Sequence, residues 1–213
     1  MNLFINELFT NPESFFAKVV MVVFSICCHE FSHAWVALKQ GDSTAAEQGH
    51  LTFNPFKQMG ITSLIMLAFV GIAWGQVPVN PQRMKHRYSE ALVALAGPVM
   101  NLILFFAFCL LASVTYLMGV QEATVNLLVL GGILNMVLFL LNMLPIPPLD
   151  GWTVFRCVFP KIKFEQSEFM KGTAVLAFIM VILFFKYLFI AGLFSARFVT
   201  SLLILLLKAT GMF

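Results

Sequence analysis

The sequence predicts an all-α polytopic membrane protein, and three observations carry that expectation. Hydrophobic residues fill 60% of the 213 positions and charged residues only 11%, against about 25% charged in a soluble domain. Such a chain cannot cover a water-facing surface. Its apolar stretches are continuous, not alternating, which is a helical pattern and not that of a barrel. Several of them approach the ~20 residues with which a helix crosses a bilayer. About five transmembrane helices are expected, plus a re-entrant segment with short β-like extended pieces. They form a single domain over 1–213, with a motif-bearing core at about 13–158 and C-terminal helices at about 173–211.

The opening residues hold Glu7 and Glu13 and no Lys or Arg before Lys18, unlike a secretory leader. Residues 1–12 read as an interfacial helix with Phe4, Ile5, Leu8 and Phe9 toward lipid. The first span, at about 13–39, is apolar from Phe15 to Cys28 except for Lys18 and Ser25. It then carries Cys28-His29-Glu30-Phe31-Ser32-His33-Ala34-Trp35. On a helix His29 and His33 lie four apart and project from one face, so both reach one Zn²⁺. Glu30 stands beside them as candidate general base for a water at the metal. Two imidazoles and a carboxylate this deep in an apolar span need one another or a metal to offset their desolvation. Cys27, Cys28, Cys109 and Cys157 show no paired-ligand spacing and read as buried free thiols.

A loop at 40–45 follows, with turn chemistry in Gly41-Asp42, and then a β-like piece at 49–55 closed by Asn54-Pro55. Residues 61–74 are apolar but too few to span, which suggests the re-entrant segment. Gly71 and Gly75 break it, and 77–81 reads as extended chain between Pro78 and Pro81. Such backbone persists at membrane depth only when buried in protein or lining a wet cavity, which places it near the metal.

Arg83, Lys85 and Arg87 precede a span at about 90–118, where Ala96-Gly97-Pro98 supplies small residues and Asn101 a helix-packing amide. After a turn at 119–123 comes a span at about 124–144. Three prolines between Asn142 and Asp150 interrupt the helix, so that Asp150-Gly151 begins a fresh turn. Asp150 is the best-placed carboxylate for a third metal ligand, or else a helix N-cap. A basic loop with Arg156, Lys161, Lys163 and Lys171 leads to two closing spans, at about 173–192 and 196–207.

The net charge of +3 sits in two loops, at 83–87 and 156–171, and so concerns topology and not nucleic acid. Two spans separate these loops, which puts both on the cytoplasmic side, and the motif with them in the cytoplasmic half of the first span.

The pair His29-Glu30-Phe31-Ser32-His33 and Asn142-xx-Pro145-x-Pro147-x-Leu149-Asp150-Gly151 resembles the site-2 protease family of intramembrane zinc metalloproteases. The pieces at 49–55, 78–81 and 96–101 match its compact bacterial and archaeal branch, which lacks PDZ and CBS domains. The resemblance covers residues from about 20 to 158. It implies one zinc held by His29, His33 and Asp150, Glu30 as the base, and Asn142 as the amide that holds or polarises the substrate backbone. It also implies a transmembrane protein or peptide as substrate, in a prokaryotic cell membrane; association of copies is left open. His50 departs from the basic residue expected at its place, as a weak extra ligand, a pH-sensitive contact or a plain loop substitution. The competing class is a membrane metal transporter or sensor using the same ligands. It predicts further ligands strung along several spans, whereas His50 and His86 fall in loops. A catalytically silent scaffold is the third alternative.

Overall fold

The structure, a computed structural model, describes the backbone of residues 4–160 and 168–211, with side chains over the same ranges except 168–182. Helices supply 76% of it, and no strand occurs among the described residues. The chain divides into two compact units, 1–100 and 101–213.

The first unit opens with a short helix α1, Asn6–Thr10, and then α2, Pro12–Lys39. The start of α2 follows from its residues. The Asn11 side chain accepts from the Ser14 N–H at 3.1 Å, Pro12 needs no donor in the first turn, and Glu13 faces the positive end of the helix dipole. Lys39 stands in the last turn, where a cation is favoured. The lipid-facing role expected of Phe4 is corrected. Its ring packs on Phe15 at 4.9 Å and beside Gly71, and the Ile5 N–H donates to the Phe69 carbonyl; Phe9 stays exposed. An aromatic next to a bare glycine gains more contact there than in lipid.

Two one-turn helices, α3 (Thr44–Glu47) and α4 (Pro55–Gln58), frame the loop expected to be β-like. That loop pairs with no strand; Gln58 holds it instead, its amide donating to the His50 and Thr52 carbonyls at 2.9 and 2.7 Å. Helix α5, Gly60–Val70, is about 16 Å long, half of a ~30 Å hydrocarbon core. Gly71 ends it with φ +83°, a conformation that glycine adopts without a side-chain clash.

Helix α6, Ser89–Leu117, begins in the first unit and continues through the second. There α7, Glu122–Asn142, is followed by α8, Asp150–Val158, and α9, Glu168–Ala209. The two closing spans expected at 173–192 and 196–207 are one continuous helix. Gly192, where the first of them was expected to end, is a packing notch: a Cβ there would lie 2.8 Å from Val137 Cγ2 and 3.0 Å from the Ile133 carbonyl oxygen. Four helices among the described residues are therefore long and apolar enough to cross a membrane, where about five were expected. The core of this unit gathers Phe105, Cys109, Ile133, Val137 and Ala196. Most of the basic loop expected at 156–171, with Lys161, Lys163 and Lys171, lies outside the residues whose side chains are described.

Candidate metal centre

His29, Glu30 and His33 are all buried on α2, in a helix that would otherwise present only apolar and small side chains at this level. The expected geometry is present. The two Nε2 atoms are 3.0 Å apart and the rings meet edge to face, centroids 4.6 Å apart. One zinc, with Zn–N bonds of ~2.0–2.1 Å, can bind both nitrogens at that separation.

Which nitrogen of His33 can ligate is decided by its other neighbour. Nδ1 lies 2.7 Å from the Val93 carbonyl oxygen. An oxygen of that kind only accepts, so Nδ1 carries the proton and Nε2 keeps its lone pair. A backbone carbonyl from α6 thus fixes both tautomer and ring angle.

Two glycines shape the space around these groups. A Cβ built on Gly97 would collide with His29 Nε2, His33 Nε2 and His29 Cε1, so the missing side chain leaves a space bounded by both Nε2 atoms. That cradle, with two Nε2 atoms facing each other across it, fits a metal ion better than it fits two packed imidazoles. A Cβ on Gly75 would likewise run into the Glu30 carboxyl. The extended stretch 72–80 therefore brings main chain, with no intervening side chain, against the candidate base.

That stretch is fixed at even positions. Trp74 N–H donates to Ser63 Oγ at 2.9 Å, and the same hydroxyl donates to the Trp74 carbonyl at 2.6 Å. Gln76 N–H donates to the Gln58 carbonyl at 3.0 Å, and Asn80 N–H to Asp42 Oδ2 at 2.6 Å. Pro78 falls at the one even position with no N–H to place. In extended chain the groups of 75, 77 and 79 face the other edge.

Asp42 is fully buried and takes two more hydrogen bonds, from the Thr44 N–H at 3.0 Å and the Thr44 hydroxyl at 2.5 Å. Burial alone would raise its carboxyl. The bonds from Thr44 and the Asn80 N–H, with Arg83 nearby, outweigh burial and hold it below the usual carboxylate range. His50 Nδ1 lies 3.4 Å from Gln58 Oε1, so this histidine belongs to the loop frame.

Asp150 and Asn142 lie in the second unit. Asp150 is the first residue of α8; the cap position is Leu149, so the N-cap reading does not hold. Gly151 permits the placement, because a Cβ there would sit 2.5 Å from the carbonyl oxygens of Met143 and Leu144 at the end of α7. Asn142 is the last residue of α7, its Nδ2 donating to the Leu138 carbonyl at 3.0 Å. Gly75, Gly97, the Val93 carbonyl and Asp42 were missed as site elements. Gly41-Asp42, Gly75 and Gly97-Pro98 drew notice only as a turn, a break and a helix contact.

The family model of peptidase family M50 matches residues 17–125 and 113–186. A protein of Bacillus subtilis (strain 168), provisionally named zinc metalloprotease YwhC, is 37% identical over 161 residues, covering 70% of this chain and 74% of the relative. Two mycobacterial proteins provisionally named zinc metalloprotease Rip2 are similar as well. The one from Mycobacterium tuberculosis (strain ATCC 25618 / H37Rv) is 31% identical over 82% of this chain and 70% of its own length. The one from Mycolicibacterium smegmatis is 33% identical over 66% of this chain and 58% of its own length. No solved structure matches. With a histidine pair, a neighbouring carboxylate and several membrane-length helices in hand, these likenesses settle the family: the chain belongs to peptidase family M50, the site-2 proteases, and is a multi-pass integral membrane zinc metalloprotease.

Proposed function

We propose that the chain hydrolyses a peptide bond within a transmembrane segment of membrane-anchored substrates, as in regulated intramembrane proteolysis. One observation carries the reading: Glu30 is buried on the same helix turn as a paired-imidazole ligand set and is covered by bare main chain at Gly75. His29, His33 and, by the sequence motif, Asp150 hold the zinc. Two imidazoles and one carboxylate suit one such ion with a position left for water. When bound, zinc supplies Lewis acidity to a peptide carbonyl and to water.

The protein's own groups do the rest. Glu30 takes the proton of the attacking water and returns it to the leaving amine. A helical substrate has its carbonyls engaged, so it must unwind. The outer edge of 75–79 then offers N–H and C=O groups to one extended strand, and Asn142 orients the chain near the cut. The metal centre faces the cytoplasmic side in this reading, from the basic loops. A single catalytic domain suffices. A transporter would need further ligand clusters, and none beyond these three occurs among the described residues.

The test is the position of the cut. The purified chain is incubated in detergent with a synthetic transmembrane peptide, and fragments are read by mass spectrometry. Scission inside the apolar stretch, abolished by chelation and restored by zinc, is expected. Scission only in the polar flanks, or none across a broad panel, contradicts the reading.

A further inference from the structure

Helix α9 carries a cation that a purely lipid-facing helix does not explain. Arg197 is exposed and, among the described residues, makes no ion pair or hydrogen bond. Two independent observations put it at mid-membrane. Lys186 and Lys208, both exposed, stand eleven residues before and eleven after it. That interval of helix is about 33 Å, close to the thickness of a hydrocarbon core. The second observation is packing. Helix α7 has 21 residues, the length of one crossing, with Gly132 at its midpoint. A Cβ on Gly132 would lie 3.7 Å from the Cβ of Ala196, the residue before Arg197.

The side of α9 on which Arg197 stands is not the packed one. Gly192 and Ala196 approach α7, and the Thr200 carbonyl accepts from Ser113 Oγ of α6 at 3.1 Å. Ile190, Phe194, Arg197, Phe198 and Ser201, with Leu193 at the margin that packs on the core, instead line one open groove. Their spacing of three and four makes one helix stripe. A guanidinium there is about 15 Å from either interface, beyond the reach of its side chain, and in hydrocarbon it calls for a counter-charge.

We propose that this stripe docks a transmembrane helix of another protein, one with an Asp or Glu near its midpoint. The Arg–carboxylate pair would be forked and charge-assisted, and the Phe194 and Phe198 rings, stacked 6.3 Å apart, would lie against the helix beside it. Among the described residues a second copy of this chain offers no such acid: Glu30 and Asp150 belong to the metal centre, and the other described carboxylates lie in loops or at helix ends. The inference goes beyond the proteolytic reading and does not depend on it.

The experiment uses the full chain, carrying Glu30→Gln so that no probe is cut, reconstituted in phosphatidylcholine vesicles. Probes are Lys-flanked Leu/Ala peptides of ~24 residues with Asp or Leu at the centre, and association is read by energy transfer. The Asp peptide is expected to bind ~10-fold tighter than the Leu peptide. Arg197→Leu should erase the difference, and Arg197→Asp should transfer the preference to a Lys-centred peptide. Equal binding of Asp and Leu peptides to the chain with Arg197 intact overturns the proposal, whatever the variants do. So does a preference that survives Arg197→Leu, or chain-to-chain energy transfer that Arg197→Leu abolishes, which would assign the stripe to a second copy.

Discussion

The two units bury polar groups in different ways. In residues 1–100 the buried polar side chains His33, Asp42 and Ser89 bond across elements far apart in sequence, such as Asp42 to Asn80 and His33 to Val93, and Gln58 and Ser63 pin the backbone of nearby loops. In residues 101–213 Ser113 and Asn135 each return a bond to the carbonyl four residues earlier and join a second helix, Ser113 at the Thr200 carbonyl and Asn135 at Asn101, while small residues such as Gly131, Gly132, Gly192 and Ala196 bring helices together. The second pattern is that of a membrane bundle, where close packing does most of the holding. The first is that of a site, where irregular backbone must be fixed at defined points. The contrast teaches that polar cross-links, not apolar area, set the geometry around the metal.

Breaking the glycine cradles should have the largest effect, and should separate binding from chemistry. Gly97→Ala puts a methyl group among the ligating nitrogens, so zinc affinity should fall by at least ~100-fold, measured by metal content after dialysis against a chelator. Gly75→Ala crowds Glu30 alone, so zinc should stay while kcat falls. Equal zinc loss in both would blur the distinction between the two cradles.

Next comes the anchor of the extended stretch. Asp42→Asn replaces an acceptor of N–H bonds by a group that also donates, and should cost about 2 kcal/mol, seen as a lower Tm with zinc still bound. The pH dependence has a definite sign. A carboxyl held below its unfolded value of ~3.9 stabilises the fold above that pH, and the stabilisation is lost as pH falls through the lower, folded value. Acid unfolding of Asp42→Asn should therefore be less steep than that of the unsubstituted chain.

The smallest effect belongs to the second unit. Asn101 Nδ2 donates to Asn135 Oδ1 at 3.0 Å, both side chains buried. Membrane hydrogen bonds of this kind average about 0.6 kcal/mol, so Asn101→Leu should lower stability only slightly. A double-mutant cycle with Asn135→Leu should show a coupling of that size.

How much was legible in the sequence follows the same division. The apolar lengths gave α2, α6 and α7 to within a few residues, because a bilayer imposes length. His29, Glu30 and His33 were legible because four-residue spacing on a helix is geometry in itself. The end of the chain was misread because glycine at 192 has two opposite meanings, a break or a notch, and only the neighbour at 133–137 decides between them. An extended piece was expected from the prolines at 77–81 only, and the anchors Ser63, Gln58 and Asp42 of the stretch 72–80 were not legible, since nothing local links them to it. Gly75 and Gly97 act through an absent side chain, which becomes visible only beside the group that fills the space.

The most direct test of the central claim compares the unsubstituted chain with Glu30→Gln for zinc content and cleavage of one transmembrane peptide. The account predicts one zinc per chain in both and no cleavage in the variant. Cleavage that survives Glu30→Gln, with zinc unchanged, would contradict it.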